Sequence, residues 1–209
     1  MIPGRYLVID VEATCSEDNS IPRNEMEIIE IGAVLVDGQG FRVIDEFATF
    51  IRPVRHPALT PFCTNLTTIT QEQVNSAPLF PDALRSLCDR LWSARDILFS
   101  SWGNYDKNQF QQDCAHHRIP YPFGDHHLNL KSEFAAVQKR HLCGVQRALE
   151  LVNLEFEGTP HRGIDDARNI ARLLPRRRNT GGILRRCNAA LGVDGPAECA
   201  TFLRDHVLS

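Results

Sequence analysis

An α/β domain with a mixed five-stranded sheet flanked by helices is the fold class the sequence predicts, and three observations predict it. The unbroken apolar run Tyr6–Ile9 reads as a strand covered on both faces. Two β-rich stretches follow, Glu27–Asp37 and Phe41–Phe50, joined by the turn Asp37-Gly38-Gln39-Gly40. So tight a turn makes them antiparallel, and with the first strand they form a three-stranded meander. Beyond them helical periodicity alternates with short apolar runs, the signature of parallel strands added to the sheet.

Cys15–Glu25, after the first strand, is polar and reads as a loop, and residues 53–61 are irregular and punctuated by proline. A short helix is expected near Thr70–Val74. Leu84, Leu87, Cys88 and Leu91 give Pro81–Trp92 helical spacing. Ile97–Trp102 is a fourth strand, Tyr105–His117 a helix, and residues 118–127 a loop. Leu128–Leu130 reads as a short fifth strand, with helices over Lys131–Arg140 and Gly144–Val152. A last strong helix runs over Ile164–Leu174 and stops at Pro175. Residues 1–175 are thus expected to form one domain. Residues 176–209 are expected to form a carboxy-terminal extension, helical and packed on it.

Composition narrows the class. A chain of 209 residues, 43% hydrophobic and 23% charged, is ordinary for a globular domain with a sizeable core. No apolar run approaches the roughly 20 residues needed to span a bilayer. The first strand begins almost at once, so no signal peptide and a cytoplasmic location are expected. Seven cysteines are scattered without a C-x-x-C pair, which signals neither a zinc knuckle nor a redox dithiol; free thiols are expected. A net charge of −3 argues against coating nucleic acid by bulk electrostatics. It leaves open an enzyme whose bound metals reverse the sign of its site.

The chemistry starts at Asp10 and Glu12. Side chains alternate along a strand, so both project from one face while Val11 takes the other. Two neighbouring acids at the end of a core strand either begin a solvated loop or meet a cation that offsets their repulsion. Asp106, in Trp102-Gly103-Asn104-Tyr105-Asp106, opens a helix after a core strand; it reads as a helix cap or as a further ligand. In His161-Arg162-Gly163-Ile164-Asp165-Asp166, a histidine precedes a helix whose first turn carries acids. Asp165 reads as a cap, Asp166 is free to point elsewhere, and His161 suits general-base work near neutral pH. Four acids and one histidine at element ends are what two-metal phosphodiester hydrolysis requires, with ions about 3.5–4 Å apart clamping the attacking and leaving oxygens.

These three segments, in this order and spacing, resemble the motifs of the DEDDh 3′–5′ exonucleases, in particular the branch of the histone-mRNA 3′-end exonuclease and its RNA-interference relatives. Glu27-Ile28-Ile29-Glu30-Ile31-Gly32-Ala33, Phe62-Cys63 and Leu66-Thr67 extend the likeness over about residues 5–175. The resemblance implies an RNase H-like exonuclease fold. It also implies release of nucleoside 5′-monophosphates from single-stranded 3′ ends, RNA more than DNA. Asp10, Glu12, Asp106 and Asp166 resemble the metal ligands and His161 the general base. Glu12, Ala13 and Thr14 resemble residues that approach the terminal nucleotide. Phe62 and Tyr105 resemble aromatics that stack on bases, with core packing as the alternative reading of each. Two Mg²⁺ ions are implied, with Mn²⁺ also supporting activity. Thr68 stands where the family commonly has glycine, and a β-branched residue at that point bears on backbone geometry or on the approach to the bases.

The partners expected are therefore single-stranded RNA or DNA with a free 3′ end, and no membrane. A DNA exonuclease of proofreading or repair type and a non-catalytic nucleic-acid-binding module are the competing readings; a scaffold working through the extension is a third. His116-His117 and His126-His127 flank a loop and are not read as a zinc site. Arg176-Arg177-Arg178 suits either phosphate binding or a helix carboxyl end.

Overall fold

Arg5–Ala13 (β1) is the middle strand of five in a computed structural model that describes residues 3–92 and 96–174. Ile28–Asp37 (β2) and Val43–Phe50 (β3) lie on one side of it, Ile97–Ser101 (β4) and Leu128–Asn129 (β5) on the other. β1–β2 and β2–β3 pair antiparallel, whereas β4 pairs parallel with both β1 and β5. The expected meander and the added parallel strands are both present. β1 runs further than its apolar core, through Asp10 and Glu12 to Ala13, so the two acids belong to the strand rather than to a loop after it.

Each face of β1 has its own cover. Leu7, Ile9 and Val11 enter a core with Leu84, Leu87 and Leu91 of α3 (Phe80–Leu91) and Phe110 of α4 (Tyr105–His117). Tyr6 and Val8 enter another, with Ala167, Ile170 and Ala171 of α7 (Gly163–Leu173). Among the described residues the remaining α-helices are α1 (Pro61–Thr67), α2 (Gln71–Asn75), α5 (Leu130–Gln138) and α6 (Val145–Leu151), and a single 3-10 turn spans Arg23–Glu25. The 176–209 extension and Arg176–Arg178 lie outside the described residues.

One helix goes beyond the expectation. α1 begins at the last residue of the segment expected to be irregular and runs on through residues 62–67, for which the sequence pattern predicts no element, although its start signal is present. Thr60 caps it, its Oγ1 accepting the Cys63 N–H at 3.0 Å, and Pro61 takes the first helical position. The helix ends at Thr68, whose φ is +61°. Here lies the physical meaning of the missing glycine: the turn keeps its left-handed shape and a β-branched residue bears the strain, about 1–2 kcal/mol. Thr68→Gly relieves that strain and costs some unfolded-state entropy. It is expected to raise stability by ~0.5–1 kcal/mol in a urea titration. A lower midpoint would show that the Thr68 side chain makes a compensating contact.

Candidate active site

Asp10 and Glu12 continue the Tyr6–Val8 face, which places them under the amino-terminal end of α7. The helix comes this close because two glycines meet there. Gly32 pairs with Asp10 across β1–β2, and a Cβ on Gly163 would lie 2.9 Å from the Gly32 nitrogen and 3.0 Å from the Asp10 carbonyl oxygen. Asp166, in the first turn of α7, thereby joins the strand acids. Asp10, Glu12 and Asp166 each offer a carboxylate oxygen within 4.8 Å of the others. Asp106 arrives from the opposite side of β1 on the first turn of α4, 4% exposed, and its Oδ1 accepts the Val11 N–H at 3.1 Å. Its side chain caps no helix; it is tied to the strand between the two acids. Asp165 turns away instead, accepting the Thr159 N–H at 2.9 Å and pairing with Arg168.

His161 stands exposed on the turn before α7 with φ +61°. Asp166 supports that turn, since its carboxylate accepts the Arg162 N–H at 3.2 Å and also the His161 N–H. The five side chains singled out in the sequence thus gather at one end of β1.

Electrostatically the acids lack positive charge. Burial, and then Asp106, Asp166, Glu12 and Glu30, hold the Asp10 carboxyl well above its ordinary range. Burial and then Asp166 and Glu30 push Glu12 up to about 8, and burial raises Asp106 to about 6 despite the Val11 N–H. Asp166 is raised as well, chiefly by burial. Glu12 therefore holds in the fold a proton that the unfolded chain has released above about 4.5. Its contribution to stability is full below that pH and lost as pH rises through about 8. His127, lowered by burial to about 4, acts in the opposite direction only below its ordinary 6.5. Asp113, raised by burial to about 7, adds to the fall, whereas Cys63, lowered to about 7 by its hydrogen bond with Cys15, opposes it from about pH 7 upward. With Asp10 and Glu12 both raised, the melting temperature in EDTA is expected to fall between pH 6.5 and 8, most steeply below pH 7. A rise over that interval would mean the acids are not crowded as described.

The other expected site residues divide. Phe62, 38% exposed, and Tyr105, 42% exposed, are large aromatics presented to solvent, which removes the core-packing alternative for both. Ala13 and Thr14 are buried, and Thr14 is engaged twice: its N–H donates to the Glu27 carbonyl at 2.8 Å and its hydroxyl accepts the Glu27 N–H at 2.9 Å. The Thr14 side chain thus holds β2 in place, and of these three neighbours Glu12 is the one only partly buried. The His116-His117 pair gains one carboxylate neighbour that spacing did not disclose, Glu27, within 4.8 Å. Both Glu27 oxygens already accept loop N–H groups, from Val54 at 2.9 Å, Arg55 at 2.7 Å and His56 at 3.0 Å. Cys15, Cys63, Cys88, Cys114 and Cys143 are free, as expected.

Glu30 and Arg162 are the residues whose place at the site went unread, although a lone acid in the buried run of β2 was the available signal. Glu30 is 2% exposed and lies directly opposite Glu12 in register. Arg162 grips its carboxylate with two hydrogen bonds, Nε at 3.2 Å and Nη2 at 3.0 Å.

Comparison with known proteins places this geometry in context. The family model described as Exonuclease, of RNase T type, matches residues 7–174. The human 3′–5′ exoribonuclease 1 is 33% identical over 189 residues, covering 85% of this chain and 53% of that protein. The chain spans about half the length of the mammalian exoribonucleases it matches. The probable 3′–5′ exonuclease KapD of Bacillus subtilis is 33% identical over 170 residues, 80% of this chain and 81% of its own length. Among solved structures, the nuclease domain of 3′hExo, a DEDDh family member bound to rAMP, superposes with a TM-score of 0.79 at 30% identity. The match covers 85% of this chain and 93% of that one. The RNase H-like exonuclease fold is therefore present.

Proposed function

The chain belongs to the exonuclease family, and on that premise we propose that it removes nucleoside 5′-monophosphates from the 3′ ends of single-stranded RNA, using two Mg²⁺ ions. One observation carries the reading: Asp10, Glu12 and Asp166 converge on one spot, with Asp106 tied in behind them and His161 at the rim. The donor set fits the ions. Carboxylate oxygens are hard ligands suited to Mg²⁺ and Mn²⁺, and four acids with raised pKa values are short of the positive charge such ions bring. When bound, two such ions stabilise the charge that develops on the attacking and leaving oxygens.

The chain's own residues do the rest. Asp10, Glu12, Asp106 and Asp166 would hold the ions. His161, exposed at the rim of the acids, takes the proton from the attacking water as its oxygen closes on phosphorus. Phe62 and Tyr105 offer exposed ring faces to the last bases, a contact that tolerates any sequence. RNA rather than DNA is supported by the exoribonuclease relatives.

The test uses 5′-labelled RNA and DNA of one sequence with Mg²⁺, with Mn²⁺ and with EDTA. A ladder shortening from the 3′ end, faster on RNA and absent in EDTA, is the expected result. A faster ladder on DNA overturns the RNA assignment. No ladder on either, from folded protein with metal present, overturns the activity.

A further inference from the structure

We infer that Glu30 is a positioning residue for the reaction, acting through His161 by way of Arg162 and the turn that carries the histidine. The inference rests on the reading of His161 as the general base. His161 is held in a left-handed conformation, which costs a residue with a side chain about 1–2 kcal/mol. Such a conformation persists only where the surroundings over-determine it. The residues that follow it supply the constraint. The Arg162 N–H is bound by Asp166, while the Arg162 guanidinium and the Gly163 N–H all converge on the Glu30 carboxylate, the last at 3.0 Å. The guanidinium also lies 5.2 Å from the centre of the Phe50 ring, and Phe50 pairs with Glu30 across β2–β3. The turn is therefore bolted to two strands of the sheet rather than to its own helix alone.

The chemistry explains why an acid stands there. Glu30 sits opposite Glu12, where a second unpaired carboxylate would add repulsion and tempt Arg162 toward the metal acids. Bidentate pairing fixes both angle and distance, which a single point charge does not. With Arg162 spent on Glu30, the acids stay unpaired and available to the ions, and His161 keeps its place above them. A bond that fixes a turn to within a fraction of an ångström matters here, because a misplacement of about 1 Å at a catalytic group costs up to about a hundredfold in rate.

The test is a double-mutant cycle on the full chain with labelled single-stranded RNA at saturating Mg²⁺. Glu30→Gln keeps an acceptor for Gly163 and loses the charge that holds Arg162. It is expected to lower kcat about tenfold with KM unchanged within about twofold. His161→Ala is expected to lower kcat by about 10²–10⁴-fold, and adding Glu30→Gln to it should lower kcat no further. In the metal-free protein the His161 ring resonances are expected to be single and sharp in the parent and to shift or broaden in Glu30→Gln. Should Glu30→Gln not fold, Arg162→Ala at the more exposed partner tests the same pair with the same expected results. Unchanged kcat in the single variant, or a full further loss on top of His161→Ala, overturns the inference. The reading of His161 as base fails separately, if His161→Ala alone leaves kcat unchanged.

Discussion

Asp10→Asn is expected to lower the rate of 3′-nucleotide release by about a thousandfold or more and at the same time to leave the metal-free protein no less stable. The two halves come from the same crowding. Asp10 sits among the other members of the cluster, with Asp106, Asp166, Glu12 and Glu30 all acting on it after burial itself. Asparagine preserves size and shape but supplies a neutral, weaker ligand, and losing about 4 kcal/mol of charge stabilisation in the transition state is about a thousandfold in rate. Without metal, by contrast, removing one of several crowded like charges relieves repulsion. The melting temperature in EDTA at pH 8 should therefore stay level or rise. Adding Mg²⁺ at pH 8 should stabilise the parent and have little effect on the variant, since a ligand stabilises only the fold that binds it. The measurement is paired: ladder rate and thermal melt on one preparation. A variant that melts much lower in EDTA would mean Asp10 holds the fold together rather than the ions.

Much of this site is legible in the sequence, for identifiable reasons. Alternation along a strand puts Asp10 and Glu12 on one face whatever the tertiary fold. The motif order then associates them with Asp106, Asp166 and His161. Other features depend on contacts between distant segments. α1 is seven residues long, too short for periodicity to stand out, and only its Thr60-Pro61 start marks it. The burial of Thr14 follows from its two bonds to Glu27, thirteen residues on. The pairing of Glu30 with Arg162 spans 132 residues. A charged residue inside an apolar run announces that a partner exists and says nothing of which one. The close approach of Gly32 to Gly163 is likewise invisible in either segment alone, and it sets the distance between the strand acids and α7.

That approach supports the second large effect: Gly32→Ala is expected to cost both stability and activity. A glycine in mid-strand is ordinarily a weakness, worth about 0.5–1 kcal/mol less than alanine, so alanine should improve a free β2. Here the added methyl would lie 2.0 Å from the Gly163 carbonyl carbon, 2.1 Å from the Ile164 nitrogen and 2.2 Å from the Gly163 oxygen. All three are backbone atoms at the start of α7, and none can rotate away as a side chain would. The helix must retreat from the sheet, drawing Asp166 away from Asp10 and Glu12 and breaking the Gly163 bond to Glu30. Overpacking of this kind costs about 1–3 kcal/mol, and a backbone clash belongs at the upper end. At ~3 kcal/mol the melting temperature should drop by about 6–12 °C for a chain of this size. A displacement of about 1 Å at Asp166 predicts a further loss of about a hundredfold in rate, measured below the melting transition. Gly144→Ala is the control, because its methyl would meet no atom within 4 Å and only the cap of α6 is weakened. It should cost about 1 kcal/mol or less and leave the rate per folded molecule unchanged. If Gly32→Ala behaved like this control, the amino-terminal end of α7 would have room to spare over β2, and the distance between Asp166 and the strand acids would be set by something other than these two glycines.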